Sequence, residues 1–186
     1  MRIGGIHICT LLRMLVMAIL LAVLLAEGQA PSLPKPGPEM ARLDFLVGTW
    51  SFTESYEASA MGPAGSGKGT MTARRGPGGL SLLIDWKASS SARGESSGHD
   101  IYAWDAKAGA YQLIAVSNET PAALIFSGRW EGKDFVVEGT FETPAGPMAV
   151  RAAWTDIQPR SVQTLLYMGA PGGQMQKVAT GRATKQ

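Results

Sequence analysis

The sequence predicts an all-β protein: an up-and-down antiparallel β-barrel of about ten strands, entered by one short helix. Three observations predict it. After Gly48 helical spacing disappears, and about ten short runs follow with turn residues between them. Most of these runs carry one apolar face at period two. No long helix is available to cross over a parallel sheet, and turns this tight make neighbouring runs antiparallel. One apolar face per run, repeated along the chain, implies a sheet that closes on itself. A sandwich is the alternative, but sequential hairpins without long returns favour the barrel.

The elements follow in order. Residues 1–28 read as a secretory signal peptide. Arg2, His7 and Arg13 give a weakly basic start, and Met14 to Ala26 is apolar throughout. That run is short for a membrane span of about 20 residues, and the small-x-small pattern Ala26-Glu27-Gly28 places cleavage before Gln29. An uncleaved anchor is the alternative. Export to the periplasm or the medium is therefore expected, with no stable membrane insertion once the signal is removed. Cys9, the one cysteine of the 186 residues, leaves with the leader, as does His7. Cysteine chemistry is then excluded, and His99 is the sole remaining histidine. Losing Arg2, Arg13 and Glu27 takes the 17 basic and 15 acidic residues to 15 and 14. That near-neutral balance gives no electrostatic reason to expect nucleic acid or an anionic membrane as partner.

Residues 29–38, QAPSLPKPGP, form a Pro-rich linker. Residues 39–186 make one domain. Within it Met40, Leu43, Leu46 and Val47 have helical spacing, with Pro38 suited to the first turn and Gly48 to the stop. The strand runs are 49–58, 67–75, 80–90, 98–105, 110–117, 122–130, 134–142, 147–156, 160–168 and 175–183. Asp105–Gly109, Glu131–Asp134, Pro144–Pro147, Gln158–Arg160 and Ala170–Gly173 supply turn chemistry. Trp50, Phe52 and Tyr56 share a face with Glu54. Leu80, Leu82, Ile84 and Trp86 share another, as do Leu124, Phe126 and Trp130, then Phe135, Val137 and Phe141, then Met148, Val150, Ala152 and Trp154.

One string suggests a different protein. GPAGSGKGT, residues 62–70, reads like a phosphate-binding loop with the spacing of adenylate kinases. Its context is wrong on both sides. The preceding SFTESYEASAM is polar and alternating where a buried strand is required. The following residues run into Gly76-Pro77-Gly78-Gly79 where a helix is required. The string is read as a flexible Gly/Ser loop between antiparallel strands, and no nucleotide is expected.

The segment Leu43-Asp44-Phe45-Leu46-Val47-Gly48-Thr49-Trp50 resembles the opening of calycin barrels: lipocalins, fatty-acid-binding proteins and nitrobindin-like proteins. It is more similar to a bacterial lipocalin-like family of uncharacterised, often exported proteins with a domain of unknown function. That family also carries a Tyr-x-x-Asp hairpin followed by Tyr, similar to Tyr102–Asp105 through Tyr111. It has a Gly-x-Trp-x-Gly-x turn similar to Gly128–Lys133. The resemblance spans about residues 38–183 and implies the fold; the family has no agreed activity to carry over. In lipocalins an arginine of the last strand packs over the opening tryptophan, and the resemblance puts Arg182 in that role. Gly48, Trp50 and Arg182 are thus structural, barrel-closing residues. Glycine lets the helix end turn sharply into a strand, and the indole plugs one barrel end.

Site residues follow from the alternation. Glu54 shares the inward face of Trp50 and Phe52, so it is the inward polar group. It would orient a polar ligand head, and catalysis would need a partner that the sequence does not supply. Trp86, Trp130 and Trp154, on three apolar faces, are the candidates for an aromatic-lined cavity. Asp85 lies opposite its strand's apolar face. Nitrobindin-like barrels hold haem through one histidine late in the chain, whereas His99 lies early behind a polar approach; it is read as exposed or hydrogen-bonded. No metal, cofactor or catalytic residue is assigned. The leading expectation is binding of a small apolar or amphipathic molecule inside the barrel. A barrel enzyme acting on such a molecule, marked by a second titratable group beside Glu54, and a solid-core interaction module are the alternatives.

Overall fold

A computed structural model describes residues 32–59, 62–91 and 93–186. The proposed leader therefore lies outside the described residues. Residues 35–186 make one compact unit. Helix α1 (Pro38–Ala41) starts with proline in its first turn and is followed by a 3-10 turn at Asp44–Leu46. The single helix expected over 39–47 is thus broken into two short pieces. Ten strands follow: β1 (Gly48–Tyr56), β2 (Gly65–Arg75), β3 (Ser81–Ser90), β4 (Gly94–Asp105), β5 (Ala110–Ser117), β6 (Leu124–Glu131), β7 (Asp134–Thr143), β8 (Gly146–Gln158), β9 (Ser161–Gly169) and β10 (Gln176–Lys185).

Each strand pairs antiparallel with the next, and β1 pairs with β10 to close the barrel. Closure removes both sheet edges, so every strand has a hydrogen-bonding neighbour on each side. Among the described residues no helix is long and apolar enough to cross a membrane; that says nothing of strands.

The alternation read from sequence is the alternation of the walls. Trp50, Leu82, Ile84, Tyr102, Phe135 and Val137 are buried, while Asp85 and Lys87 face out. Two bulges interrupt it. One in β10 lies between Lys177 and Ala179, so that Val178 and Ala179 are both buried. The other, in β8, lies between Thr155 and Gln158 and holds Asp156 at a positive φ of 46°.

Two sequence expectations change. Residues 65–70 of GPAGSGKGT are strand, not flexible loop. Gly65, Gly67 and Gly69 face inward with Met71 and Ala73, and Ser66, Lys68 and Thr70 face out. This stretch is extended and laddered to β1 and β3, a geometry that cannot wrap consecutive N–H groups around a phosphate. The stretch between the expected runs 80–90 and 98–105 is mostly β3 and β4 running on, paired from Ser90↔Gly94 to Trp86↔Gly98. Serines and glycines hide strand character because they give no hydrophobic period.

One barrel end is filled. Met40, Leu43 and Leu46 from the entry segment pack with Leu82, Tyr102, Tyr111, Leu113 and Phe135. Three polar contacts fix this plug. The Trp50 indole N–H donates to the Leu46 carbonyl at 2.7 Å, the Tyr111 hydroxyl donates to the Glu39 carbonyl at 2.7 Å, and Arg75 pairs with Asp44.

Candidate functional site

Above the plug the barrel is hollow. A cavity of about 320 Å³ is lined by residues of β1–β4 and β8–β10 and by two loops at the other end. Its volume is that of a small-molecule site, at the low end of about 300–1,000 Å³. Leu46 and Tyr102, essentially without solvent exposure, and Trp154 form its floor. Trp154 stacks at an angle on Phe135, with ring centroids 5.6 Å apart, and so joins floor to core.

Small residues create the space. Glu54 is in register with Gly67 on one side and Gly181 on the other, so neither flanking strand sets a side chain directly across from it. Phe52 lies across Gly69 and Trp86 across Gly98. A Cβ added at either glycine would come 2.4 Å from the Phe52 ring or 2.6 Å from the Trp86 ring. Glycine in these strands lets a large ring lie flat on the wall.

Four titratable side chains were not singled out as site residues from sequence. Tyr56, on the same face as Glu54, donates a hydrogen bond from its hydroxyl to that carboxylate. Burial, followed by the hydrogen bond and charge of Glu54, raises the Tyr56 pKa well beyond the ordinary tyrosine range. Arg93, in the β3–β4 turn, lies over the Tyr56 ring at 4.5 Å and 3.9 Å from Glu119 of the β5–β6 loop. These groups form the rim. Deeper in, Asp100 of β4 lines the cavity close to the Trp86 indole, whose N–H acts on its carboxyl. Burial pushes its pKa up to about 6, against the lowering effects of that N–H and of His99. Only part of the Asp100 side chain is accessible, because it stands deep on the cavity wall.

The signal for Asp100 was present: it alternates with Tyr102 and Trp104. Ile101 on the opposite face blurred it, and Ile101 is in fact 40% exposed. Arg93 and Glu119 sit in loops, where no period exists to read.

Of the residues expected from sequence, Glu54, Trp86 and Trp154 line the cavity together. Trp130 does not. It packs in the filled end, 5.7 Å from Phe45 and 5.4 Å from Phe135, under the Arg42 guanidinium at 4.6 Å. Its indole N–H lies near the Tyr111 hydroxyl but meets no well-aligned acceptor. Its face was read correctly; its height along the barrel axis was not, because β6 is short and the cavity lies on the far wall.

Gly48 turns into β1 at φ 124°, open to glycine at low cost, and Trp50 is fully buried. Arg182 does not cover Trp50. It faces out opposite Thr53, 3.9 Å from Asp156, and Lys185 instead lies over the indole at 5.4 Å. Lys185 is the register partner of Trp50, whereas Arg182 falls on the opposite parity of β10.

His99 is exposed on the outer wall, 2.5 Å from Asp85 through Nδ1, so no histidine enters the cavity among the described residues. Nor do three or more His, Cys, Asp or Glu side chains converge as a metal site among them. Arg129 and Arg151 also face out, in a four-member ion-pair network with Glu131 and Glu138. The glutamate pKa values are lowered, Glu131 first by its hydrogen bond from Arg151 and Glu138 first by that from Arg129.

The family model for proteins of unknown function designated DUF1579 matches residues 35–185. The chain belongs to this family. No curated protein matches it at a significant level. Solved structures similar to this DUF1579 barrel include Rv2717c from M. tuberculosis, at 13% identity and a TM-score of 0.55, covering 82% of this chain and 99% of that one. The S-type phycobiliprotein lyase CPES from Guillardia theta is similar at 11% identity and a TM-score of 0.50, covering 81% of this chain and 96% of that one. At these identities the likeness concerns the fold of the DUF1579 domain alone.

Proposed function

We propose that this chain is an exported, lipocalin-like barrel that binds a small amphipathic molecule in its interior. The observation that carries the proposal is the cavity itself: aromatic and aliphatic walls, an inward Glu54 and Asp100, and one sealed end. A solid-core module would fill that space with side chains, as the lower half of this barrel is filled. An apolar body fits between Phe52, Trp86 and Trp154, and a polar head finds partners at Glu54 and Asp100. Residues 1–28 act as the signal peptide and 29–38 as a spacer in this account.

A second reading has one specific observation in its favour. Glu54 shares the cavity with Asp100 and takes a hydrogen bond from Tyr56, so titratable groups stand where an acid–base pair would. That arrangement suits an enzyme acting on the same kind of molecule.

Native mass spectrometry of the chain purified from its own cells, without added ligand, separates these readings. Binding predicts one small-molecule mass per chain, unchanged on incubation. Conversion of that mass to another over time would favour the enzyme. A ligand-free mass at every step of a gentle purification would count against both.

A further inference from the structure

Resting on the ligand-binding reading, we infer that the cavity selects a cationic amphiphile, an organic amine whose ammonium is drawn to the cavity carboxylates Asp100 and Glu54 with its apolar body against Trp86, Phe52 and Trp154. The cavity sets carboxylates in a largely apolar space sealed at one end. Glu54, Asp100 and Glu119 line the cavity, and Arg93 is the one cationic residue among the described residues that do. Arg93 is committed elsewhere, to the Tyr56 ring and to Glu119 at the rim. Among the described residues neither Glu54 nor Asp100 has an ion-pair partner: Glu54 has the Tyr56 hydroxyl and Asp100 the Trp86 indole. Both contacts come from neutral donors, and the cation that acts on Asp100, His99, stands on the outer wall already paired with Asp85.

A carboxylate held among aromatic rings, without a cation, is unfavourable until a cation arrives. The raised Asp100 pKa has the same origin: burial favours its neutral form. The aromatic faces act in the same direction, because an ammonium beside tryptophan or tyrosine is attracted to the ring quadrupole. A metal ion would need converging ligands, and the acidic groups do not converge as a metal site among the described residues. An anionic head such as a fatty carboxylate would meet unpaired carboxylates deep in the barrel and find its countercharge only in a guanidinium already engaged at the rim. A monocation with an apolar tail satisfies both halves of the site.

The test uses three probes of equal tail length, decylamine, decanol and decanoate, titrated into the full chain at neutral pH by calorimetry and tryptophan fluorescence. Decylamine is expected to bind about tenfold or more tighter than decanol, with decanoate weakest. D100N is expected to weaken decylamine by about tenfold while leaving decanol within about twofold. E54Q serves as a second, independent variant with the same direction of effect. Equal affinity for amine and alcohol, or tightest binding of decanoate, overturns the charge selection and leaves ligand binding standing. Saturable binding of none of the three overturns the ligand-binding reading and the selection with it.

Discussion

Asp100 shows how one side chain couples site and stability. Its folded pKa, about 6, lies above the value of about 3.8 for an unperturbed carboxyl, because burial penalises the charge more than the Trp86 hydrogen bond supports it. A raised carboxyl pKa contributes stability that is fully present below the unfolded value. That contribution is lost as pH rises through about 6. D100N keeps an acceptor for Trp86 and removes the charge. The variant is therefore expected to match the wild type near pH 4 and to exceed it above pH 7 by on the order of 1–3 kcal/mol, less where cavity water screens the charge. Thermal melts of both proteins across that range give the answer, and a constant difference in Tm would show that Asp100 is not the titrating group. At this scale the sequence was readable where a residue obeyed its strand's parity. Glu54 beside Phe52 pointed inward by that rule. Arg182 went astray because the lipocalin analogy supplied its role, while the register of β10 puts Lys185 opposite Trp50.

Individual strands were legible because apolar side chains mark one face of each. β3, β7 and β8 could be read from leucine, isoleucine, valine and tryptophan at period two, and their boundaries moved by only a few residues. The starts of β2 and β4 could not, because glycine and serine dominate them and give no hydrophobic period. Those same glycines do structural work in the wall. Gly69 lies under Phe52, and a Cβ there would stand 2.4 Å from the ring and 2.2 Å from the Lys87 carbonyl oxygen. The ring could swing into the cavity, but the backbone carbonyl could not easily yield. G69A is thus expected to cost about 1–3 kcal/mol in urea unfolding and to shrink the room for a ligand. An unchanged unfolding midpoint would mean that β2 and β3 separate more readily than this packing implies. Trp130 belongs to the same lesson: period fixes which face a side chain occupies, whereas its height in the barrel depends on strand tilt and length.

The whole molecule divides along its axis. The entry segment, Trp50 and the aromatic cluster around Phe135 seal one end, and the sheet stays hollow between there and the rim of Tyr56, Arg93 and Glu119. Closure in simple up-and-down order was legible from ten consecutive strand runs with tight turns between them. The hollow was not, because a cavity is the space that side chains leave, and no single residue announces it. If that space is the site, filling it must abolish binding without unfolding the barrel. Ala88 and Ala152 line it from β3 and β8, well apart in sequence. The direct measurement is a tryptophan-fluorescence titration of decylamine and decanol into the wild type, A88F and A152F, each checked for an intact cooperative melt. The account predicts saturable one-to-one binding to the wild type and at least about tenfold weaker binding to both folded variants. Equal binding by a filled and folded variant, or none by the wild type, would contradict it.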